Sequence, residues 1–331
     1  MFEPLTRRTY LRQSLALVVP SIASLPVRAQ AYPEHPIRVI VAYPPGGPVD
    51  FVARLLSAGI SKRLSQPVTV ENRPGGNGLV AAQHVASAKP DGCTLHLCLS
   101  TPYSMLQSLY RRPLPYDPNA RSDIVLAAAV QSILVVNPRT GIKTMRDYMT
   151  KAAQSPGVLT YASPGTAQIF TLAKELLKAE LSLDVRQIPY QGVAPALQAV
   201  LAGTVDAALL DVGTIAPHVS GGRLTPLCVL GKQRARAMPD VPTLEEVGIR
   251  VPVMPLIWMG FAGPRDIPTG IVQNLNVEIN RELQEPSVTA TLAQQSLDPL
   301  GGSSDQMKRS IEDDARVWGS LIRRLGIHAD E

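Results

Sequence analysis

Apolar and polar positions alternate in blocks along the chain, and the blocks predict strands and helices in turn. The run Ile37–Ala42 is apolar except for Arg38, which is typical of a strand buried on both faces. A Pro/Gly turn follows at Tyr43–Val49, and the pattern beyond it predicts a helix to about Leu64 with Asp50 placed to cap it. Repeated strand-loop-helix units of this kind predict mainly parallel sheets.

The same pattern of apolar and polar residues predicts the remaining strands and helices. Strands are predicted at Val68–Val70, Thr94–Leu99, Leu159–Ala162, Val185–Pro189, Val205–Leu210 and Leu224–Val229. Helices are predicted at Leu79–Ser87, Thr144–Gln154, Ala167–Ala179, Pro195–Leu201, Thr269–Gln284, Pro286–Gln295 and Ser304–Leu325.

Two longer apolar stretches, Ile124–Val136 and Val253–Ala262, could each cross from one lobe to another. One lobe would then be discontinuous, with residues 32–136 and 240–331, and the inserted lobe would hold residues 137–239. A length of 331 residues suits two such lobes. Two crossings between α/β lobes form a hinge, which is a device for closing on a ligand.

Residues 1–31 have the features of an export signal peptide. A charged segment contains Arg7 and Arg8, a short apolar stretch runs from Leu15 to Val27, and Ala29-Gln30-Ala31 fits a cleavage site. We therefore expect an exported, periplasmic protein. The paired arginines allow a twin-arginine signal, and an ordinary secretory signal remains the alternative.

Composition excludes several classes of function. The formal net charge is +5, but four arginines lie in the first 31 residues, and no basic run with interleaved aromatics follows. We therefore expect no nucleic-acid partner. The three cysteines argue against a disulfide framework, and the five scattered histidines form no metal-binding motif. No nucleophile elbow or phosphate-binding motif is present, so the sequence indicates neither a cofactor nor an enzyme.

Ligands of open parallel sheets bind at the carboxyl ends of strands. The loops predicted there are rich in Gly, Ser and Thr and carry little charge, which favours anion capture by the amides of helix N-termini. The same residues also commonly do no more than end a strand. The loops are Tyr43–Val49, Ser100–Tyr103, Ser163–Thr166, Tyr190–Gly192 and Asp211–Thr214.

The side chains nearest these loops each allow two interpretations. Asp50 is a helix cap or a ligand contact. Asp211 caps the helix at Gly213 or accepts a ligand amine or hydroxyl. Tyr190 and Tyr103 could stack on a ligand, although Tyr190 could equally pack under its loop.

Short motifs occur in a fixed order along the chain. They are Pro44-Pro45-Gly46-Gly47, Val70-Glu71-Asn72-Arg73-Pro74-Gly75, Pro90-Asp91-Gly92, Leu114-Pro115-Tyr116-Asp117-Pro118, Tyr161-Ala162-Ser163, Pro189-Tyr190-Gln191-Gly192 and Pro239-Asp240-Val241-Pro242-Thr243. With this ordered set the chain resembles the tripartite tricarboxylate transporter receptors of bacterial periplasms, also called Bug receptors. The likeness extends from about Tyr32 to Ile327.

The resemblance implies a type II periplasmic-binding-protein fold, with two α/β lobes, a hinge and an interlobe cleft. It implies a small organic acid whose carboxylate is held by amides and hydroxyls of both lobes, partly through water. It also implies a membrane permease or a sensor as partner; we expect a monomer. The implied ligand-binding residues are Pro45, Gly46, Gly47, Asp50 and Ser100 in the first lobe and Ser163, Gly165, Thr166, Tyr190 and Asp211 in the second.

The chain departs from the family pattern where ligand identity is decided. Pro48-Val49-Asp50 replaces a common Ala-Thr-Asp, and Ala167 and Gln168 replace a Gly and a Ser. These changes could admit a bulkier or aromatic acid. The leading hypothesis is a receptor for uptake of a carboxylate; the alternatives are a ligand-sensing partner of a signalling system and, with least support, a hydrolase on the same scaffold.

Overall fold

The computed structural model describes residues 32–164, 169–231, 233–250 and 257–329. Among these residues the strands form two sheets. The first sheet has the order β11-β4-β10-β3-β1-β2 and the second has the order β7-β6-β8-β5-β9. The first contains β1 Ile37–Val41, β2 Val68–Asn72, β3 Thr94–Leu99, β4 Arg121–Val130, β10 Ile257–Pro264 and β11 Leu297–Gly301. The second contains β5 Ser132–Val136, β6 Thr160–Ser163, β7 Arg186–Pro189, β8 Ala207–Asp211 and β9 Thr225–Val229.

Both sheets are mixed, but four of the six strands in the first sheet and four of the five in the second run in the same direction, which agrees with the predicted mainly parallel sheets. Strands β1, β2 and β3 are parallel, as are β6, β7 and β8, and these are the strands that carry the predicted loops. Strands β10 and β5 run antiparallel to both of their neighbours. The reason is that β5 enters its sheet from the edge where β8 ends, so it must run in the opposite direction.

Helices cover the faces of both sheets. They are α1 Pro48–Leu64, α2 Leu79–Ala86, α3 Thr101–Ser104, α4 Leu106–Leu109, α5 Met145–Gln154, α6 Ile169–Glu180, α7 Val193–Ala202, α8 Val212–Ser220, α9 Thr269–Leu283, α10 Pro286–Gln294 and α11 Ser304–Leu325. Helices α5 and α11 begin at capping boxes, in which the N-cap side chains of Thr144 and Ser303 bond the third helical amide. Trp318 and Ile322 of α11 are buried, as the predicted apolar face requires.

The predicted crossing strand Ile124–Val136 is two strands that belong to different sheets. β4 ends at Val130 in the first sheet, and β5 begins at Ser132 in the second, where it pairs with β8 and β9. The predicted domain boundary at residue 136 therefore lies one strand too late for the sheets, because the chain changes sheets inside the apolar run, at the polar pair Gln131-Ser132. The return crossing falls partly on residues 251–256, outside the described residues, as do the predicted signal peptide and Gly165 and Thr166.

The carboxyl edges of the two sheets lie close together. Val130 pairs with Ile257 and Leu99 pairs with Met259, so β4 and β3 end at the same edge of the first sheet. Ser132 pairs with Asp211, so β8 ends where β5 begins. Because Gln131 alone separates β4 from β5, the carboxyl ends of β1, β3, β6, β7 and β8 lie at the two sheet edges that meet at the crossing. In the described part of the chain, no helix has the length and apolar character to cross a membrane.

Candidate functional site

The first-lobe loop ends at an uncapped helix N-terminus. Gly47 is the N-cap residue of α1, and no side chain bonds the first helical amides. Pro45 and Gly46 are exposed and Gly47 is half-buried. Helix N-terminal amides carry partial positive charge and have no partner within the helix, so this position can accept an external anion.

Asp50 organises this loop instead of capping the helix. Helix α1 begins at Pro48, which places Asp50 in its first turn. One carboxylate oxygen accepts the Gly46 amide at 2.9 Å and Arg54 Nε at 3.0 Å; the other accepts Arg54 Nη2 at 2.9 Å and Asn72 Nδ2 at 2.8 Å. The carboxylate therefore joins the loop, α1 and the end of β2, and the Gly46 amide is directed to Asp50.

These bonds keep Asp50 ionised. Burial alone would raise its pKa, but the hydrogen bonds from Arg54, Gly46 and Asn72 favour the charged form and lower the pKa below its ordinary value. The pyrrolidine of Pro48 fixes φ for the first helical residue and breaks no helical hydrogen bond, since an amide at that position has no helical acceptor. The loop is thus held rigid by its own carboxylate.

Ser100 is buried behind this loop. Its carbonyl accepts the amides of Tyr103 and Ser104 at 3.0 Å each, which starts α3, and its side chain is fully buried. The hydroxyl lies beside the carboxyl of Asp314 on α11. Direct contact with a ligand would require this hydroxyl to turn. The side chain of the next residue, Thr101, lies close to the Tyr43 hydroxyl, so the β3–α3 loop and the β1–α1 loop touch.

In the second lobe, hydrogen bonds join two of the predicted loops. Ser163 is fully buried and its hydroxyl lies 2.9 Å from the hydroxyl of Thr171 on α6. The Ser163 carbonyl accepts the Tyr190 amide at 2.8 Å. Tyr190 is half-buried and packs against the core beneath its loop, and Gly192 begins α7 with a left-handed φ of +106° and no side-chain cap. The carboxyl ends of β6 and β7 therefore lie side by side.

Asp211 caps α8. One of its carboxylate oxygens accepts the Thr214 amide and the other accepts the Thr214 hydroxyl, both at 2.8 Å. Burial raises the pKa of Asp211, and the bonds from Thr214 partly offset this. Of the two roles predicted for Asp211, the capping role is confirmed, and a contact with a ligand stays a prediction.

The two lobes make contact beside Asp211. A Cβ atom built on Gly213, at the start of α8, would lie 2.8 Å from the carbonyl oxygen of Gln295, which follows α10 of the first lobe. At the crossing itself, Gln131 Nε2 donates to Asp298 Oδ2 at 2.6 Å. The loops predicted to bind ligand therefore lie next to a contact that depends on how the lobes are oriented.

Sequence reasoning missed the residues that hold the loops in place. Thr214 could have been found, because a Ser, Thr or Asp three residues from an N-cap residue is a local pattern. Asn72 contacts Asp50, and Thr171 contacts Ser163, only because the fold brings them together, and no sequence spacing predicts these contacts.

A cavity of about 620 Å³ lies elsewhere in the first lobe. It is lined by the start of β4 and by α11, and Arg121 of β4 pairs with Pro264, at the edge of the sheet opposite the predicted loops. Tyr103, from the predicted loop Ser100–Tyr103, also lines it, and the Tyr103 hydroxyl lies 2.7 Å from His96 Nδ1 in the interior of the first lobe. Within residues that the structure describes, no group of three or more His, Cys, Asp or Glu side chains could hold a metal ion.

Comparison with known proteins gives a consistent set of similarities. The model of the tripartite tricarboxylate transporter family receptors matches residues 52–327. Protein BugT of Bordetella pertussis is 30% identical over 304 residues, which cover 91% of this chain and 92% of BugT. Among solved structures, an R. palustris protein with adipate has a TM-score of 0.80 at 28% identity and covers 90% of this chain and 99% of its own. MatC from Rhodopseudomonas palustris with bound malate has a TM-score of 0.76 at 27% identity, covering 88% and 100%.

Proposed function

Because the chain belongs to the tripartite tricarboxylate transporter receptor family, we propose that it is a periplasmic receptor that binds a small organic acid between its two lobes and delivers it to a membrane permease. The proposal includes export by the segment 1–31. Adipate and malate, the ligands of two similar structures, are both small dicarboxylates. They support a carboxylate as the ligand class here.

The observation that carries the proposal is the uncapped N-terminus of α1 at the carboxyl edge of the first sheet. The amides there are neutral donors, and an anion would bind them without a fully charged partner. Such binding is reversible, which suits a protein that must release its cargo. Asp50, the carboxylate in the first turn of α1, accepts hydrogen bonds from Gly46, Arg54 and Asn72 and so does not compete for these amides.

The first test is a panel of acids added to the mature chain. We expect adipate, malate or an aromatic carboxylic acid to raise the melting temperature and to reduce the radius of gyration in solution scattering, because a ligand stabilises the state it binds. Mass spectrometry of the purified protein would identify a molecule that it carries. A wide panel without any thermal shift, together with no co-purified acid, would refute the proposal.

A matched pair of variants tests the role of the amide. Gly47 has φ −81° and ordinary space around it, so both alanine and proline fit there. Gly47→Pro removes the N–H and should weaken binding about 10-fold, the effect of one hydrogen bond to a charged group, whereas Gly47→Ala keeps the N–H and should bind like the wild type. Equal affinity in the two variants would exclude this amide from the site.

A further inference from the structure

A buried carboxyl group lies directly behind the first-lobe loops. Asp314 of α11 is 6% exposed and faces the end of β3. Trp258 on β10 lies opposite Ser100 when the antiparallel register of Leu99 with Met259 is continued by one residue. The Ser100 hydroxyl and the Trp258 side chain both approach the Asp314 carboxyl closely enough to favour its charged form. Three polar groups from β3, β10 and α11 thus meet at the carboxyl edge of the sheet.

The cluster is incompletely hydrogen-bonded. Ser100 Oγ and Asp314 Oδ2 are both inaccessible to solvent, and neither has a hydrogen-bond partner of regular geometry. Unpaired buried polar atoms of this kind are uncommon because each costs about 1–3 kcal/mol. The Ser100 carbonyl is fully used by α3, so its hydroxyl is the part of this residue that can change partner. Burial, as the largest effect, raises the pKa of Asp314 to about 7.

We propose that Asp314 couples the binding of an anionic ligand in the first lobe to the uptake of one proton. This inference rests on the function proposed above and deepens it, since it adds the proton as a second ligand. Asp314 is a positioning residue: it acts through Ser100 and the adjoining loop and need not touch the ligand.

The contacts between the loops provide the coupling. Thr101 follows Ser100, and its side chain lies close to the hydroxyl of Tyr43, which begins the loop that ends at the N-terminus of α1. A negative charge held by those amides would be separated from Asp314 mainly by buried protein, where charges interact more strongly than in water. An ionised Asp314 also attracts the Ser100 hydrogen, whereas a neutral Asp314 leaves that hydrogen available to the loop. Both effects favour the protonated carboxyl when an anion is bound.

The other titratable groups near Asp314 do not account for the proposed proton uptake. On α11 itself, Asp313 raises the pKa of Asp314 further. Of the elements that pack on α11, α4 and β10 carry no titratable side chain and α3 carries Tyr103, bonded to His96. β4 carries Arg121 and Asp123, which form an ion pair with each other. Helix α6, which packs on the second sheet, carries Lys174, Glu175, Lys178 and Glu180.

The sign of the effect follows from linkage. If the anion favours neutral Asp314, binding takes up a proton, and affinity must fall as pH rises through the pKa of the free protein. With that pKa at about 7, the dissociation constant should rise about 10-fold between pH 6 and pH 8, and binding at pH 7 should take up roughly half a proton.

Isothermal titration calorimetry tests this with adipate and malate, and with any further acid that shifts the melting temperature at pH 6. Titrations in two buffers of different ionisation enthalpy give the number of protons taken up. We expect uptake by the wild type and by Asp313→Asn, an exposed neighbour on the same helix, and none by Asp314→Asn, whose affinity should not change between pH 6 and pH 8. The wild-type measurement needs no variant, so poor folding of Asp314→Asn would not prevent the test.

The possible failures can be told apart. Binding without proton uptake by the wild type, or equal uptake by the wild type and Asp314→Asn, would overturn the coupling and leave the receptor function standing; in that case Asp314 only holds α11 on the sheet. If no acid binds at either pH, the proposed function fails and the coupling fails with it.

Discussion

Replacing Gly213 with alanine would place a methyl group between the two lobes. The added Cβ would lie 2.8 Å from the Gln295 carbonyl oxygen, whereas ordinary contacts of a Cβ lie between 3.4 and 4 Å. The obstacle is main chain and cannot swing aside, so the lobes must separate by about 0.6 Å at this point, at a cost of about 1–3 kcal/mol for an overpacked contact. This cost applies to the arrangement in which the lobes touch.

The cost should therefore reduce affinity more than folding stability. Gly213 lies in the first turn of α8, where alanine is favoured over glycine by up to about 1 kcal/mol, so the second lobe itself should not be weakened. If ligand binds to the form in which the lobes touch, a loss of 1–3 kcal/mol in that form corresponds to about 5- to 150-fold weaker binding.

Calorimetry with the acid that binds the wild type, together with solution scattering, would measure both quantities. Gly270→Ala is the matched control: Gly270 lies in the first turn of α9, an added Cβ meets nothing within 4 Å, and binding should not change. Wild-type affinity for Gly213→Ala would show that closure on the ligand does not use this contact, and the assignment of the cleft would then be wrong.

Two further outcomes concern stability and pH. Asp50→Asn should destabilise the protein at pH 7, and the difference in unfolding free energy from the wild type should shrink below about pH 4. Because the pKa of Asp50 is lower in the folded than in the unfolded protein, its stabilising contribution is present above the unfolded pKa and is lost as pH falls through the folded pKa. Urea unfolding at pH 7 and pH 3 measures this, and a constant difference would contradict it. Burial lowers the pKa of Lys174 to about 8, and its ammonium lies over the rings of Tyr148 and Tyr161. Because an unfolded lysine titrates near 10.4, the wild type should gain stability relative to Lys174→Met between pH 8 and pH 10, by about 3 kcal/mol at most; parallel unfolding curves would refute this.

The sequence predicted those elements whose boundaries are set locally. The bounds of β3 and α11 agree with the structure because turn residues precede β3 and a capping box precedes α11. The break at Gln131 could not be predicted, since both halves of that apolar run are buried and only pairing with β8 separates them. Helices α3 and α4 have four residues each, which is too short to show a helical period, and α8 begins directly after β8, so no turn residue marks its start.

The site was predicted at the level of loops and not of side-chain roles. Gly47 lies at an uncapped helix start, as the composition of its loop indicated. Ser100 was predicted from its place after β3, but the face of the sheet on which α11 packs decides that its hydroxyl meets Asp314. The partner comes from more than 200 residues further along the chain, and no local pattern encodes it.

The placement of charge explains how a site made of loops can bind selectively and still release its ligand. Asp50 accepts hydrogen bonds from Gly46 and Asn72, and Asp211 accepts them from Thr214, so each carboxylate is bonded within its own lobe. Each therefore fixes the backbone that leads into a helix. Amides held in this way need little reorganisation when an anion arrives, which lowers the entropic cost of binding. Arg54 is paired with Asp50, and Arg121, whose guanidinium lies 5.2 Å from the centre of the Tyr103 ring, is paired with Asp123. The attraction for an anion then comes from oriented dipoles, which favour binding without making release slow.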